Sequence, residues 1–336
     1  MAVKTRNLIT DVAGLTVGNA HDEKVRSGVT AILCDKPTAA AVQVLGGAPG
    51  TRETDLLEPH NMIDGVDAIT LSGGSAFGLD AASGVQAWLR EHDRGFLLGP
   101  HRIPIVPSAI LFDLVNNGDK DWGRFSPYRE LGFAAADTAG ETFELGTAGA
   151  GYGALTAGLK GGLGSASDRT DSGFTLGALV GVNAVGSVTV GDTRNFWAAP
   201  FEKDGEFGGL GLPHPMPDNA GTPKVKFREM TKQAGANTTI AVIATDAVLD
   251  KAAAKRLAIA AHDGFARAIW PAHTPFDGDL VFALATGRSG KKPDLHDFLD
   301  LCAMAASTMA RAIARGVYEA TPQDNDMFPA WKSVDR

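Results

Sequence analysis

The chain has 336 residues, of which 44% are hydrophobic and 21% charged, with a formal net charge of −8. That apolar content supports a sizeable core and excludes general disorder; the acidic balance leaves no global electrostatic footprint for nucleic acid or an anionic membrane. No apolar run reaches the roughly 18–20 residues of a membrane helix, and Met1–Asn7 carries no apolar segment of a signal peptide, so a cytoplasmic chain is expected. Cys34 and Cys302 form no metal-ligand pair by spacing and read as buried thiols. Glycine is the outlier, at 41 residues, well above the typical share of roughly 7%. Lying among alanines and valines, these glycines point to tight turns and close backbone packing in one α/β domain.

In chain order, Val29–Cys34 reads as a strand and Ala41–Leu45 as its neighbour, followed by a loop from Gly46 to Glu53. Ala68–Leu71 is a third strand, running through Ser72-Gly-Gly-Ser75 into a helix from about Phe77 to Glu91 with Ser75 as its N-cap. Ile103–Val106 has the pattern of an edge strand, because Pro104 removes a backbone donor. Gly132–Glu141 is helical in composition, and Gly146–Ser167 is the most glycine-rich stretch. Phe174–Val182 and Ser187–Val190 read as a hairpin-like pair buried on both faces. Pro213 to Gly235, with four prolines and then Lys224, Lys226, Arg228 and Lys232, reads as a surface connection. Thr239–Thr245 is a strand, Asp250–Ile269 a helix, Leu280–Leu284 a strand, and Asp294–Ala320 a long helix with Leu295, Phe298, Leu301 and Cys302 on one stripe.

Several tempting motifs fail. Gly73-Gly-Ser75-Ala-Phe77 lacks the final glycine of a nucleophile elbow. Gly287-Arg-Ser-Gly-Lys-Lys292 would need a glycine at Ala285 and a hydroxyl at Lys292 to cradle phosphate. Gly149-Ala-Gly-Tyr-Gly153 misplaces the third glycine of a dinucleotide fingerprint. The eight histidines show no H-E-x-x-H, so neither a zinc site nor any other cofactor is expected, and His262 and His273 read as solvated or hydrogen-bonded structural histidines.

Asn237-Thr238-Thr239 directly precedes a buried strand. An internal threonine hydroxyl is a poor nucleophile; a free α-amine on the same residue, with an ordinary pKa of about 7.7–8, can take its proton. Cleavage after Asn237, by attack of Thr238 Oγ on the Asn237 carbonyl, would create that amine. The alternative is an Asn-Thr pair that only caps the loop. Asp277 and Asp279, at i and i+2, project to one face of an extended chain and need a cation beside them; a solvated Asp-Gly turn is the plainer reading. Lys160, inside Ala157-Gly-Leu-Lys-Gly-Gly-Leu163, is either an edge residue reaching solvent or a buried cation awaiting a carboxylate. Asn183 interrupts an apolar run, as a partnered buried amide or as an oxyanion donor.

Taken together, Leu71–Leu79, Gly149–Gly153 with Lys160, Val182–Val185, Asn237–Ile240 and His273–Asp279 resemble the P1 (DmpA-type) peptidase family, over about residues 8–320. That family includes L-aminopeptidase/D-esterases, β-aminopeptidases and nylon-oligomer hydrolases. The resemblance implies a four-layered αββα sandwich, like the N-terminal-nucleophile hydrolases with different connectivity. It implies self-cleavage into 1–237 and 238–336, and a homo-oligomer, commonly a tetramer of cleaved pairs. By position it makes Thr238 the nucleophile, Asn237 the residue before the cut, Lys160 the lysine beside the nucleophile and Asn183 the oxyanion donor. Asp277 and Asp279 match the acidic pair of the threonine-type branch; serine-type aminopeptidases carry serine and glutamate there. Phe112 stands in the segment where several members carry a pocket tyrosine, a departure that bears on substrate preference, and Tyr152 is the candidate to supply a hydroxyl instead. The implied activity is hydrolysis of short peptides, amino-acid amides or nylon-type oligoamides. Acyl transfer of the ornithine-acetyltransferase type and an uncleaved, non-enzymatic binding protein are the alternatives.

Overall fold

In the computed structural model the described residues are 5–226 and 237–334. The strands are β1 (Leu15–Asp22), β2 (Ser27–Val44), β3 (Thr51–Arg52), β4 (Val66–Ser72), β5 (Phe96–Leu98), β6 (His101–Ile103), β7 (Ser108–Ile110), β8 (Gly162–Arg169), β9 (Thr175–Asn183), β10 (Thr238–Thr245) and β11 (Leu280–Ala285). The helices are α1 (Ala81–Glu91), α2 (Tyr128–Asp137), α3 (Lys251–Ala268) and α4 (Leu295–Tyr318).

The two strands expected at 29–34 and 41–45 are one continuous strand, and β2 organises the fold. Its first half pairs with β1 and β4, and its second half pairs with β11. The register against β4 shifts between Leu33 and Thr38, around an exposed Asp35–Pro37 where Pro37 withholds a ladder donor. One sheet therefore holds β1, β2, β4, β7 and β3; the other runs β2-β11-β10-β9-β8.

Alternation along the strands then builds three cores and four layers. Val29, Ala31 and Leu33 pack against α1 and α2, whereas Ile32, Cys34 and Val42 turn inward. In β10, Ile240, Val242 and Ala244 face the gap between the sheets, and Ala241 and Ile243 face α3 and α4. The result is helices, sheet, sheet, helices, as the resemblance implies.

Several local expectations change. The partner of β9 is β8, in the glycine-rich stretch, and Ser187–Val190 makes only single bridges, Ser187 to Trp270 and Thr189 to Phe196. The β8 glycines mark close approach of a helix: a Cβ at Gly164 would stand 1.9 Å from Ala312 O in α4. Ser75 is not an N-cap; it has φ +53°, outside the extended conformation of a cap, and a short 3₁₀ turn over Ser75–Asp80 precedes α1. The edge strand ends at Ile103, in an exposed hairpin with β5, because Pro104 stops it. Asp250 and Asp294 do cap α3 and α4, accepting from the N–H groups of Ala253 and Asp297. Leu295 is 81% exposed and lies off the apolar stripe. The connection expected to be a surface segment is described only to Lys226, and Lys226 is buried; Arg228, Lys232 and Gly235 lie outside the described residues. Among the described residues no helix is long and apolar enough to cross a membrane.

Candidate active site

Thr238 is the first residue of β10 and is only 4% exposed. Its register partner on β9 is Asn183. By alternation both belong to the set facing the gap between the sheets, Thr238 with Ile240 and Val242 and Asn183 with Leu179. On the other flank Asn237 makes a parallel bridge with Asp277. This register brings the Asn237–Thr238 peptide between the end of β9 and the turn that leads into β11.

The bond between Asn237 and Thr238 is unusually well furnished. Thr238 Oγ1 donates to the Asn237 carbonyl oxygen at 2.6 Å, and the Gly278 N–H donates to the same oxygen at 2.9 Å. The hydroxyl thus lies beside the carbonyl it would attack, and an N–H already points at the oxygen that would gain charge. Gly278 has to be glycine here: a Cβ would come 2.7 Å from Thr238 Oγ1 and 2.7 Å from Ala48 O. The Asn237 Oδ1 is buried and has no partner among the described residues.

The Asn183 amide has partners at both its oxygen and its nitrogen. Its Oδ1 accepts from the Leu155 N–H and from Lys226 Nζ, both at 3.0 Å, and its Nδ2 donates to the Phe112 carbonyl at 2.8 Å. Phe112 therefore serves the site through its backbone, with its ring half-buried.

The two aspartates are buried and spoken for. Asp277 accepts from Val185 N–H (3.3 Å), Thr274 N–H (2.9 Å) and Thr274 Oγ1 (2.7 Å). Burial, and then the charge of Asp279, push its carboxyl up to about 6. Asp279 accepts from Thr239 N–H at 2.8 Å, which fixes the residue after Thr238, and its other oxygen meets His273 N–H at 3.1 Å and His273 Nδ1 at 2.9 Å. His273 Nε2 in turn contacts His262 Nδ1 at 3.3 Å, and His262 Nε2–H donates to Gln43 O at 2.9 Å. Burial holds His262 down to about 4, so it is neutral at pH 7 and its Nδ1 accepts from His273. Both histidines are hydrogen-bonded; His273 lies against Asp279, and Asp277 acts on the Lys226 ammonium.

Lys160 and Tyr152 lie in an adjoining cluster. Lys160 Nζ bonds both oxygens of Asp326, at 2.9 and 3.0 Å, and Gln323 Oε1 at 3.3 Å. Of the two options open for Lys160, it is the buried cation with a carboxylate, and its hydrogen bonds go to Asp326 and Gln323 rather than to Thr238. Burial lowers its pKa and the Asp326 hydrogen bond opposes that. The Tyr152 hydroxyl accepts from Gln323 Nε2 at 2.6 Å, and its ring stacks on His21 at 4.1 Å. The link to Asn183, the register partner of Thr238, runs through Leu155, which bridges to Lys160 and gives its N–H to Asn183.

Lys226 is the residue that sequence reading missed. It looked like one of several linker lysines, and no local signal separates it from Lys224. Its ammonium is 3% exposed and donates to Leu155 O (2.6 Å), Asn183 Oδ1 (3.0 Å) and Asn183 O (3.2 Å). Among the described residues no group of three His, Cys, Asp or Glu side chains is placed to hold a metal ion.

The fold is shared with a solved aminopeptidase. The L-aminopeptidase D-Ala-esterase/amidase of Ochrobactrum anthropi, whose structure is described as a variant of the Ntn-hydrolase fold, superposes with a TM-score of 0.69 at 22% identity, over 98% of this chain and 91% of that one. The sequence profile of Peptidase family S58 matches residues 7–326, and the chain belongs to that family. It is 44% identical to an uncharacterized aminopeptidase of Mycobacterium tuberculosis, over 96% of this chain and 98% of the relative. It is 31% identical to a 6-aminohexanoate-oligomer endohydrolase of Kocuria sp., over 82% of this chain and 74% of the relative. The protein is a hydrolase of amide bonds, which sets aside the non-enzymatic alternative.

Proposed function

We propose that this hydrolase cuts its own chain between Asn237 and Thr238 and then uses the freed Thr238 to hydrolyse short peptides, amino-acid amides or oligoamides. The observation that carries this reading is the pair of donors on the Asn237 carbonyl, Thr238 Oγ1 at 2.6 Å and Gly278 N–H at 2.9 Å. In the self-cleavage the Thr238 Oγ–carbonyl carbon bond forms and the Asn237–Thr238 C–N bond breaks. The hydroxyl proton passes to the departing nitrogen. Water then hydrolyses the ester, leaving a carboxylate on Asn237 and an amine on Thr238.

In the mature enzyme Thr238 Oγ attacks the substrate carbonyl and its own α-amine takes the proton. Asn183 Nδ2–H faces the developing oxyanion. The substrate amine leaves with a proton, and water resolves the acyl-enzyme. Asp279 holds Thr239 in register, Asp277 holds Val185 and the turn before β11, and Lys160 contributes positive field from behind Leu155. The family resemblance adds a homo-oligomer of cleaved pairs to this reading.

Intact mass under denaturing conditions tests it. The expected result is two species, 1–237 and 238–336, from the wild type, and one uncut, inactive chain from Thr238→Ala. An uncut Thr238→Ala variant with full amidase activity overturns the mechanism. Faster capture of the acyl group by an added amine than by water would instead mark an acyltransferase.

A further inference from the structure

We propose that Lys226 is a positioning residue of this site: its buried ammonium clamps Asn183 Oδ1, fixing the amide so that one Nδ2–H faces Thr238. The inference rests on the self-cleaving reading above and adds a residue that the resemblance does not supply.

The argument starts from the amide. Its oxygen lies between two donors, Leu155 N–H and Lys226 Nζ, while its nitrogen faces the acceptor Phe112 O. Rotating the amide by half a turn would set its NH2 against two donors and its oxygen against a carbonyl. Asn183 is thus locked in one orientation, with one N–H on Phe112 and the second left for the side that Thr238 shares. A cationic donor on the oxygen also draws electron density from the amide and strengthens its N–H as a donor.

The lysine is itself held in place. Lys226 N–H donates to Val185 O at 2.8 Å, and the Val185 N–H goes to Asp277 Oδ1. Lys226, Val185 and Asp277 therefore form one row, and this row ties the stretch ahead of the cut to the end of β9. Lys226 falls within the 1–237 piece, and the Val185 bonds keep it there after the Asn237–Thr238 bond is broken.

Among the described residues, Asp277 and Asp113 act on the ammonium. Asp113 is itself buried, taking Ser27 Oγ and Gly74 N–H, and its carboxyl is pushed up by burial. The ammonium's hydrogen bonds to Leu155 O, Asn183 Oδ1 and Asn183 O go to neutral oxygens. Burial accordingly pushes Lys226 down to about 7, opposed by the two aspartates. The clamp is charged below neutral pH and weakens above it.

Self-cleavage has no free Thr238 amine to complicate its pH profile, so it is the reaction to follow. The variants are Lys226→Met and Lys226→Arg, with Lys224→Met as control; Lys224 is exposed and pairs with Asp192. The expected result is self-cleavage at least tenfold slower in Lys226→Met, and a mature kcat lowered at least tenfold with KM within twofold. Lys226→Arg, charged at every working pH, should regain part of the rate and lose the fall above pH 7, with Lys224→Met like wild type. Cleavage and kcat of Lys226→Met at wild-type levels overturn the clamp. If that variant does not fold, the wild-type cleavage profile decides, since a fall above about pH 7 supports the clamp and a flat profile to pH 9 overturns it. A wild type that never cuts removes the self-cleaving reading itself; one that cuts beside an equally fast Lys226→Met removes only the clamp.

Discussion

Two lysines are buried to the same degree, 3% exposed each, on either side of Leu155. Lys160 bonds both oxygens of a carboxylate, Asp326, and ties the segment around 323–326 to the turn before β8. Lys226 bonds three neutral oxygens, two of them on Asn183. The difference lies in what holds the charge. A full counter-charge keeps a buried ammonium protonated and makes it structural. Hydrogen bonds to amide oxygens tie an ammonium's charge to the groups that carry them, here the amide of Asn183 across from Thr238. Equal burial thus leaves one lysine ion-paired to a carboxylate and one bonded to the amide across from Thr238.

The comparison breaks first at Asp326. Asp326→Ala leaves the Lys160 ammonium with Gln323 as its remaining side-chain partner, and an uncompensated buried charge costs about 3–5 kcal/mol. Urea unfolding should show a loss toward the lower end of that range, because the Asp326 side chain is 14% exposed and water can partly replace it. A loss under about 1 kcal/mol would mean that Lys160 does not depend on its ion pair.

Why one lysine was legible and the other was not follows from where their signals lie. Lys160 stands out because its neighbours are glycine and leucine, so a charge there needs an explanation. Lys226 lies among prolines and other lysines, where composition reads as solvated loop, and only the fold shows which side chain turns inward. The same limit hid β8, whose glycines look like a loop but are required by the backbone of α4. Strands carried by branched residues, β4, β10 and β11, were legible because burial on both faces needs an unbroken apolar run. The Asn237–Thr238 pair could be singled out from its residue types, and the structure puts the Thr238 hydroxyl on the Asn237 carbonyl. The Gly278 N–H on the Asn237 carbonyl was not legible, since it depends on a register between segments some forty residues apart.

The second test is pH. A lysine whose folded pKa is lowered is neutral in the native state over a range where the unfolded chain still binds a proton. Its contribution to stability is present above the ordinary value of 10.5 and lost as pH falls through about 7. Asp277 acts with the opposite slope: its pKa is raised from 3.8 to about 6, so its contribution is present below 3.8 and lost as pH rises through about 6. Stability should therefore decline from about pH 4 to 6 and climb from about pH 7 to 9. The climb has a slope of at most about 1.4 kcal/mol per pH unit from Lys226. Urea midpoints across that range check it, and in Lys226→Met the climb should shrink while the acid limb stays.

The smallest expected effect sharpens the structural side of the comparison. Gln323 accepts from Lys160 at 3.3 Å, donates to the Tyr152 hydroxyl at 2.6 Å, and gives its backbone N–H to Asp326 Oδ2 at 2.7 Å. Gln323→Met removes the two side-chain bonds and keeps the backbone one, so the Asp326 ion pair survives and the cost should be about 1 kcal/mol. It also releases the Tyr152 hydroxyl. If Tyr152 belongs to the Lys160 scaffold, the unfolding midpoint falls slightly while KM and kcat stay at wild-type values. A KM that changes for some amide substrates and not for others would place the released hydroxyl in the substrate pocket. The cluster around Lys160 would then shape specificity, and the boundary between the two lysines would run through Tyr152 rather than Leu155.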